Sequence, residues 1–185
     1  YGQLKLALMN EILGRSRFAP TVFGTQAPDT GNSEILAHYG TPEQKQKYLK
    51  PMCQGIMRSC FAMTEPEVAG SDPTLIQTLA VRQGDDWVIN GHKWFISGAR
   101  GAQFAILIAR TDPDADIPQQ RNTAFIVETD WPGWNVVRDV ETMAGSHNHC
   151  EIRIENLRVP HGNVLGRLGG GHELEARVRL HPALE

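Results

Sequence analysis

A chain of 185 residues, 41% hydrophobic and 21% charged, has a globular composition and is long enough to bury roughly 70% of the surface its unfolded form exposes. Its 18 Lys and Arg against 21 Asp and Glu give a formal net charge of −3, which leaves no basic footprint for nucleic acid. No run of about 18 apolar residues marks a membrane span, and no targeting pattern is read at the N-terminus.

The chain opens at Tyr1 and enters a helical pattern at once: Leu4, Leu8, Glu11 and Ile12 share one face, with Ala7 and Met9 filling it. That beginning reads as the interior of a longer sequence. Gly14 breaks the pattern, and Pro20, Gly24, Pro28 and Gly31 predict a loop. A short helix follows Ser33 and ends at Gly40. Thr41 then reads as a helix cap, with Pro42 at the first helical position and Glu43 in an acidic first turn; the helix continues through Tyr48 and Leu49. Residues 1–55 are therefore predicted to be helical.

From about residue 56 to 160 the period switches to two. Residues 75–82 alternate, Gly84-Asp85-Asp86 predicts a turn, and Trp87-Val88-Ile89 a strand. Asn90-Gly91 between apolar runs predicts a hairpin turn into Trp94-Phe95-Ile96. Further strands are predicted at 104–108, 123–127 and 150–155, the last alternating apolar and charged residues as a strand with one wet face does. Residues 112–121 form the longest polar gap, read as an exposed loop. Strands at short intervals without intervening helices predict an antiparallel sandwich or barrel. After Pro160, Gly166 and Gly169-Gly170-Gly171 form a link into a helix over 173–184. The class is α+β: N-terminal helices (1–55), an antiparallel β-barrel or sandwich middle domain (56–160), and a short C-terminal helical stub (161–185).

Several chemistries are excluded by motif. Gly169-Gly170-Gly171 lacks the Lys-Ser/Thr of a phosphate loop, no G-x-G-x-x-G follows a strand, and there is no G-x-S-x-G elbow. Cys53, Cys60 and Cys150 are odd in number and widely spaced, which argues against a disulfide scaffold and for a reducing compartment. His147, His149 and Cys150 cluster without the second spaced ligand pair of a zinc site, so no metal is assigned. Two stretches carry more. Residues 61–72 run from a strand end into a turn rich in hydroxyls, small residues and open backbone, able to present N–H and O–H donors to a polar ring or phosphate. Residues 94–99 place two aromatics and a hydroxyl ahead of small residues that permit close approach.

The run Thr64-Glu65-Pro66 through Ala69-Gly70-Ser71-Asp72 resembles the first signature of the acyl-CoA dehydrogenases. Residues 40–49 upstream, 89–97 downstream, then Phe125-Ile126-Val127-Glu128, Gly133-Trp134 and Asn156-Leu157-Arg158-Val159-Pro160 match in order, covering the chain to about Leu165. One extra residue within 64–72, together with residues 27–32, is similar to the branch that includes family members 10 and 11.

The resemblance implies a flavoenzyme of fatty acid metabolism and β-oxidation: noncovalent FAD, an acyl-CoA substrate, electron-transferring flavoprotein as acceptor, and a homo-oligomeric parent. It places Phe61, Ala62, Met63, Thr64, Gly70 and Ser71 along the flavin's pyrimidine side, with Thr64 bonding the ring and Ser71 touching acyl-CoA. Phe95 would pack on the isoalloxazine where Trp is usual, beside Ile96, and Ser97 would replace the usual Thr that bonds flavin N5. The two stretches would be walls of one pocket. The family's catalytic base lies in a C-terminal helical bundle, so none is assigned here; Glu173, Glu175 and Glu185 have no motif match. The resemblance thus implies a piece of a longer enzyme with little turnover of its own. A flavin oxidase or monooxygenase of the same fold and a noncatalytic binding module are the alternatives. Bacterial cytoplasm is the expected compartment, mitochondrion and peroxisome being compatible.

Overall fold

The computed structural model describes residues 3–143, 145 and 148–174. Three helices come first: α1 (Gln3–Leu13), α2 (Ala19–Val22) and α3 (Asp29–Tyr39). The predicted loop over 20–31 is thus partly helical, and Gly31 lies inside α3. A near-continuous helix follows as α4 (Pro42–Gln44), a π segment (Lys45–Leu49) and α5 (Lys50–Cys53). Its start is as expected: Thr41 accepts from the Gln44 N–H while the Gln44 side chain accepts from the Thr41 N–H, a reciprocal capping box behind Pro42. The apolar face predicted for α1 is present but points outward, with Leu4, Leu8 and Ile12 exposed, as are Phe18, Val22 and Phe23 beyond it.

Eight strands make one sheet: β1 (Ser59–Ala62), β2 (Leu79–Gln83), β3 (Asp86–Ser97), β4 (Phe104–Arg110), β5 (Asn122–Glu128), β6 (Trp134–Asp139), β7 (His149–Pro160) and β8 (Val164–Leu165). The order is β6-β7-β3-β2-β4-β5-β8, with β1 also on β4. Most pairings are antiparallel as predicted, but β1 and β2 both run parallel to β4. This difference follows from connectivity: β1 returns to the sheet through the 63–78 loop rather than through a hairpin.

β4 and β5 read as unbroken apolar runs because both of their faces are covered. Phe104, Ile106, Ile108, Ala124 and Ile126 pack with Ile35, Leu36, Tyr48 and Met52 of the helices. Their alternates Ala105, Leu107, Phe125 and Val127 pack with Trp87, Ile89, Ile152 and Ile154 in a second core. Polar side chains join the layers. Asp29 accepts from the Ser59 N–H at 2.8 Å and its hydroxyl at 2.6 Å, and the buried Gln44 amide donates to Gly162 and Val164 carbonyls.

Two local predictions change. Residues 75–78 are not strand. Asp72 caps a 3-10 turn (Pro73–Leu75) by accepting from the Thr74 N–H at 3.0 Å, which delays β2 to Leu79. Asn90-Gly91 is not a turn but lies within β3, where the pairing with β7 shifts register between Ile89 and Gly91. A Cβ at Gly91 would sit 2.2 Å from Thr78 Oγ1, so the glycine serves close approach. The helix expected over 173–184 begins at residues 171–174; positions 175–184 lie outside the described residues.

Candidate functional site

The strand β3 carries the site because it bulges. Pairing with β7 is irregular between Lys93 and Ile96, which lets both side chains point inward, Lys93 at 0% and Ile96 at 1% exposure. The extra residue is pushed out: Phe95 takes φ 56° and is 44% exposed. A non-glycine residue in this region costs about 1 kcal/mol or more. Strain of this kind is characteristic of ligand sites. Trp94 packs edge-on against Phe95 at 5.1 Å, and the Arg138 guanidinium lies 5.5 Å from the Trp94 ring.

The 61–72 loop is bound directly to this bulge. The Trp94 N–H donates to the Thr64 carbonyl at 2.9 Å, and the Thr64 hydroxyl donates to the Trp94 carbonyl. The Thr64 proton is therefore committed, and toward a ligand this hydroxyl offers a lone pair. Gly70 folds back on Thr64; a Cβ there would meet Thr64 Cγ2 at 3.3 Å. The structure thus brings Thr64, Gly70 and Phe95 into one neighbourhood, with Ser71 exposed beyond them. Ala62, Met63 and Ile96 sit differently: their side chains belong to the cores, so only their backbone can face a ligand. Phe61 packs partly against the helical core. The Met63 carbonyl is already taken by Lys93.

Beneath the loop lies a pair that periodicity did not single out. Lys93 Nζ donates to Glu65 Oε1 and to the Met63 carbonyl, both at 2.8 Å. Glu65 also accepts from the Gln77 N–H at 2.7 Å, the Thr78 N–H at 2.9 Å and the Thr78 hydroxyl. Burial lowers Lys93 to about 8 against the pull of Glu65. Burial pushes Glu65 up, but the Lys93 charge and the bonds from Lys93, Thr78 and Gln77 outweigh it and hold the carboxyl below its usual range. The readable signal was a lysine at an inward register position of an apolar strand.

A second tie lies at the surface. His92 Nδ1 is 2.6 Å from Glu67 and Nε2 is 2.9 Å from Glu151, which also accepts from Arg138 at 2.7 Å. Burial raises Glu151, yet bonds and charge from Arg138 and His92 outweigh it and hold it low. The loop is pinned inside through Glu65 and outside through Glu67. On the far side of Phe95, Ser97 Oγ is 2.8 Å from His149 Nδ1, its cross-strand partner.

The surface is an exposed aromatic on a fixed bulge, a hydroxyl two residues on, and a pinned small-residue loop. Those groups fit a flat heteroaromatic ring with polar edges: Phe95 supplies a face, Ser97 a hydroxyl, and 64–71 lone pairs and backbone. Two cavities of about 430 Å³ lie elsewhere, one beside Phe23, Asp29 and Ser33, the other beside Lys47, Glu128 and Asp130. Among the described residues no group of three or more His, Cys, Asp or Glu is placed to hold a metal ion; His147 lies outside them. Cys53, Cys60 and Cys150 are free thiols. No described helix is long and apolar enough to cross a membrane.

Comparison with known proteins gives the same direction. The acyl-CoA dehydrogenase N-terminal domain matches residues 1–56 and the middle domain residues 60–157. The probable acyl-CoA dehydrogenase FadE2 of Mycobacterium tuberculosis is 44% identical over 97% of this chain and 45% of its own length. Human acyl-CoA dehydrogenase family member 11 is 40% identical over 95% of this chain and 23% of its own. A solved structure, a putative acyl-CoA dehydrogenase from Mycobacterium abscessus, superposes with a TM-score of 0.86 at 39% identity, covering 92% of this chain and 43% of that one. The chain spans less than half the length of these relatives. With both domain families matched in order over most of its residues, the chain belongs to the acyl-CoA dehydrogenase family.

Proposed function

We propose that this chain supplies the flavin-facing and acyl-CoA-facing β domain of an FAD-dependent acyl-CoA dehydrogenase, its units being helices 1–55, the β domain 56–160 and the C-terminal link and helix 161–185. The observation that carries the reading is the bulge that holds Phe95 exposed at φ 56° between the Thr64 loop and Ser97. FAD bound there would supply the electron acceptor for α,β-dehydrogenation of an acyl-CoA thioester.

The chain's own residues then have distinct tasks. Phe95 packs on the ring face. Thr64 accepts from a ring-edge N–H, since its own proton is held by Trp94. Ser97 offers its hydroxyl to N5, the ring nitrogen that would receive the hydride, where a donor polarises the oxidised ring toward reduction. The backbone of 61–63, 70 and 96 lines the ring edge, and Ser71, exposed at the loop's outer end, meets the acyl-CoA. Glu65 and Lys93 touch no ligand; they hold the loop at fixed height. Electron-transferring flavoprotein is the proposed acceptor, a homo-oligomer the proposed assembly and bacterial cytoplasm the proposed compartment.

The test is anaerobic titration of the FAD-loaded full-length parent of this chain with acyl-CoA thioesters of graded length. Bleaching of the oxidised flavin band by one of them is the expected result. Absence of bleaching with all of them would remove the dehydrogenase reading.

A further inference from the structure

Ser97 is given a partner by the fold before any ligand arrives. Register places it directly across from His149, the first residue of β7, and its Oγ lies 2.8 Å from His149 Nδ1. The same imidazole stands edge-on to Phe95, with ring centroids 6.4 Å apart and planes at 61°. The His149 backbone is fixed as well, its carbonyl accepting from the Val140 N–H at 2.7 Å. One ring therefore neighbours both Phe95 and Ser97 at the end of β3.

A serine hydroxyl has one hydrogen and two lone pairs. If His149 Nδ1 lacks a hydrogen, it accepts the serine's, and Ser97 retains only lone pairs for a ligand. If Nδ1 carries a hydrogen, it donates to Ser97 Oγ, and the serine's own hydrogen is free to point away from the imidazole. The two arrangements have the same heavy-atom positions and opposite chemical meaning. Only the second lets Ser97 donate to a ring nitrogen. A serine also lacks the methyl group that restricts the hydroxyl rotor of threonine, so here the orientation must come from a neighbour.

We propose that His149 is a positioning residue: its Nδ1–H donates to Ser97 and thereby aims the Ser97 hydrogen at the flavin. The assignment rests on the flavin reading of Ser97 given above and adds a residue to it. His149 acts through Ser97 and through the edge of Phe95.

Two measurements separate this proposal from the reading beneath it. Long-range ¹H–¹⁵N spectra of the protein without FAD report the His149 ring nitrogens directly; a hydrogen on Nδ1 whose resonance moves in Ser97→Ala is expected. A bare Nδ1, or a resonance that Ser97→Ala leaves in place, overturns the proposal whatever the flavin does. In FAD-loaded protein, His149→Leu is expected to weaken FAD binding or slow flavin reduction about 3- to 10-fold, the loss of one hydrogen bond. Ser97→Ala should give the same factor, and the double variant no more than either. His149→Asn, whose amide N–H stands near the Nδ1 position, should return to within about 2-fold of the parent. A normal response in His149→Leu beside an impaired Ser97→Ala overturns the proposal while leaving the flavin reading intact. A normal response in Ser97→Ala overturns both.

Discussion

Replacing Lys93 by Met removes one ammonium group and keeps most of the side chain's volume. The residue is fully buried, and its Glu65 partner has a side chain 1% exposed. Lys93→Met therefore strands a carboxylate beneath the site loop. Breaking a buried pair by removing one partner costs roughly 3–5 kcal/mol. The lower end applies, because Glu65 keeps the Gln77 N–H, the Thr78 N–H and the Thr78 hydroxyl. About 3 kcal/mol is a large share of the 5–15 kcal/mol typical of a folded protein. Urea unfolding followed by tryptophan fluorescence measures it as a fall in midpoint at constant slope. The double variant Lys93→Met/Glu65→Gln removes the stranded charge and should regain at least about 1 kcal/mol over Lys93→Met alone. A single-variant loss below about 1 kcal/mol, or a double variant no better than the single, would refute the claim that this pair pins the loop.

Acid should reveal the same pair. Glu65 is held below the ordinary carboxylate range in the fold by Lys93 and its hydrogen bonds, so its contribution is full above that range and is lost as pH falls through the lower folded value. Lys93→Met leaves that carboxylate buried without its cation, so the variant's loss of stability relative to the parent should be largest near neutral pH and shrink as pH falls and the stranded group takes up a proton, read by urea unfolding at graded pH. At Gly91, a methyl group would lie 2.2 Å from Thr78 Oγ1. Gly91→Ala should cost about 1–3 kcal/mol by urea unfolding, and Thr78→Ser should not relieve it, since the hydroxyl remains. Phe95 sits at φ 56°, so Phe95→Gly should be about 1 kcal/mol more stable than Phe95→Ala by thermal unfolding, while both lose FAD affinity. Thr41→Ala opens the capping box and should cost about 1 kcal/mol without affecting flavin.

Much of the fold was legible where local chemistry and tertiary need agree. The Thr41-Pro42 helix start, the Gly84 turn and the long apolar strands all appear as expected. Reading failed where a tertiary contact overrode a local signal. Asn90-Gly91 has the composition of a hairpin turn, but its glycine answers to the Thr78 side chain, a neighbour no window of sequence contains. The period-two pattern over 75–78 gave way to the Asp72 cap, a short-range signal that competes with strand alternation. The outward face of α1 was legible as apolar, but periodicity says nothing about which surface meets it. Motif resemblance singled out Thr64, Phe95 and Ser97; the structure ties Thr64 to the Phe95 bulge through Trp94 and sets Ser97 against His149 two residues on. Resemblance did not separate exposed side chains from Ala62, Met63 and Ile96, buried in the cores. That division depends on the bulge in β3, which breaks the strict alternation that sequence reading assumes. Glu65, Lys93 and His149 were visible as residues, but the ties of Lys93 to Glu65 and of His149 to Ser97 come only from pairing across the fold.

The proposed flavin site requires that FAD contact residues 61–71 and 95–97. Hydrogen exchange of backbone amides, measured with and without FAD, reads that contact residue by residue and needs no substrate or acceptor. Slowed exchange across 61–71 and 95–97, with β4 and β5 unchanged, is the predicted result. Protection confined to other segments, with those two stretches exchanging as before, would contradict it.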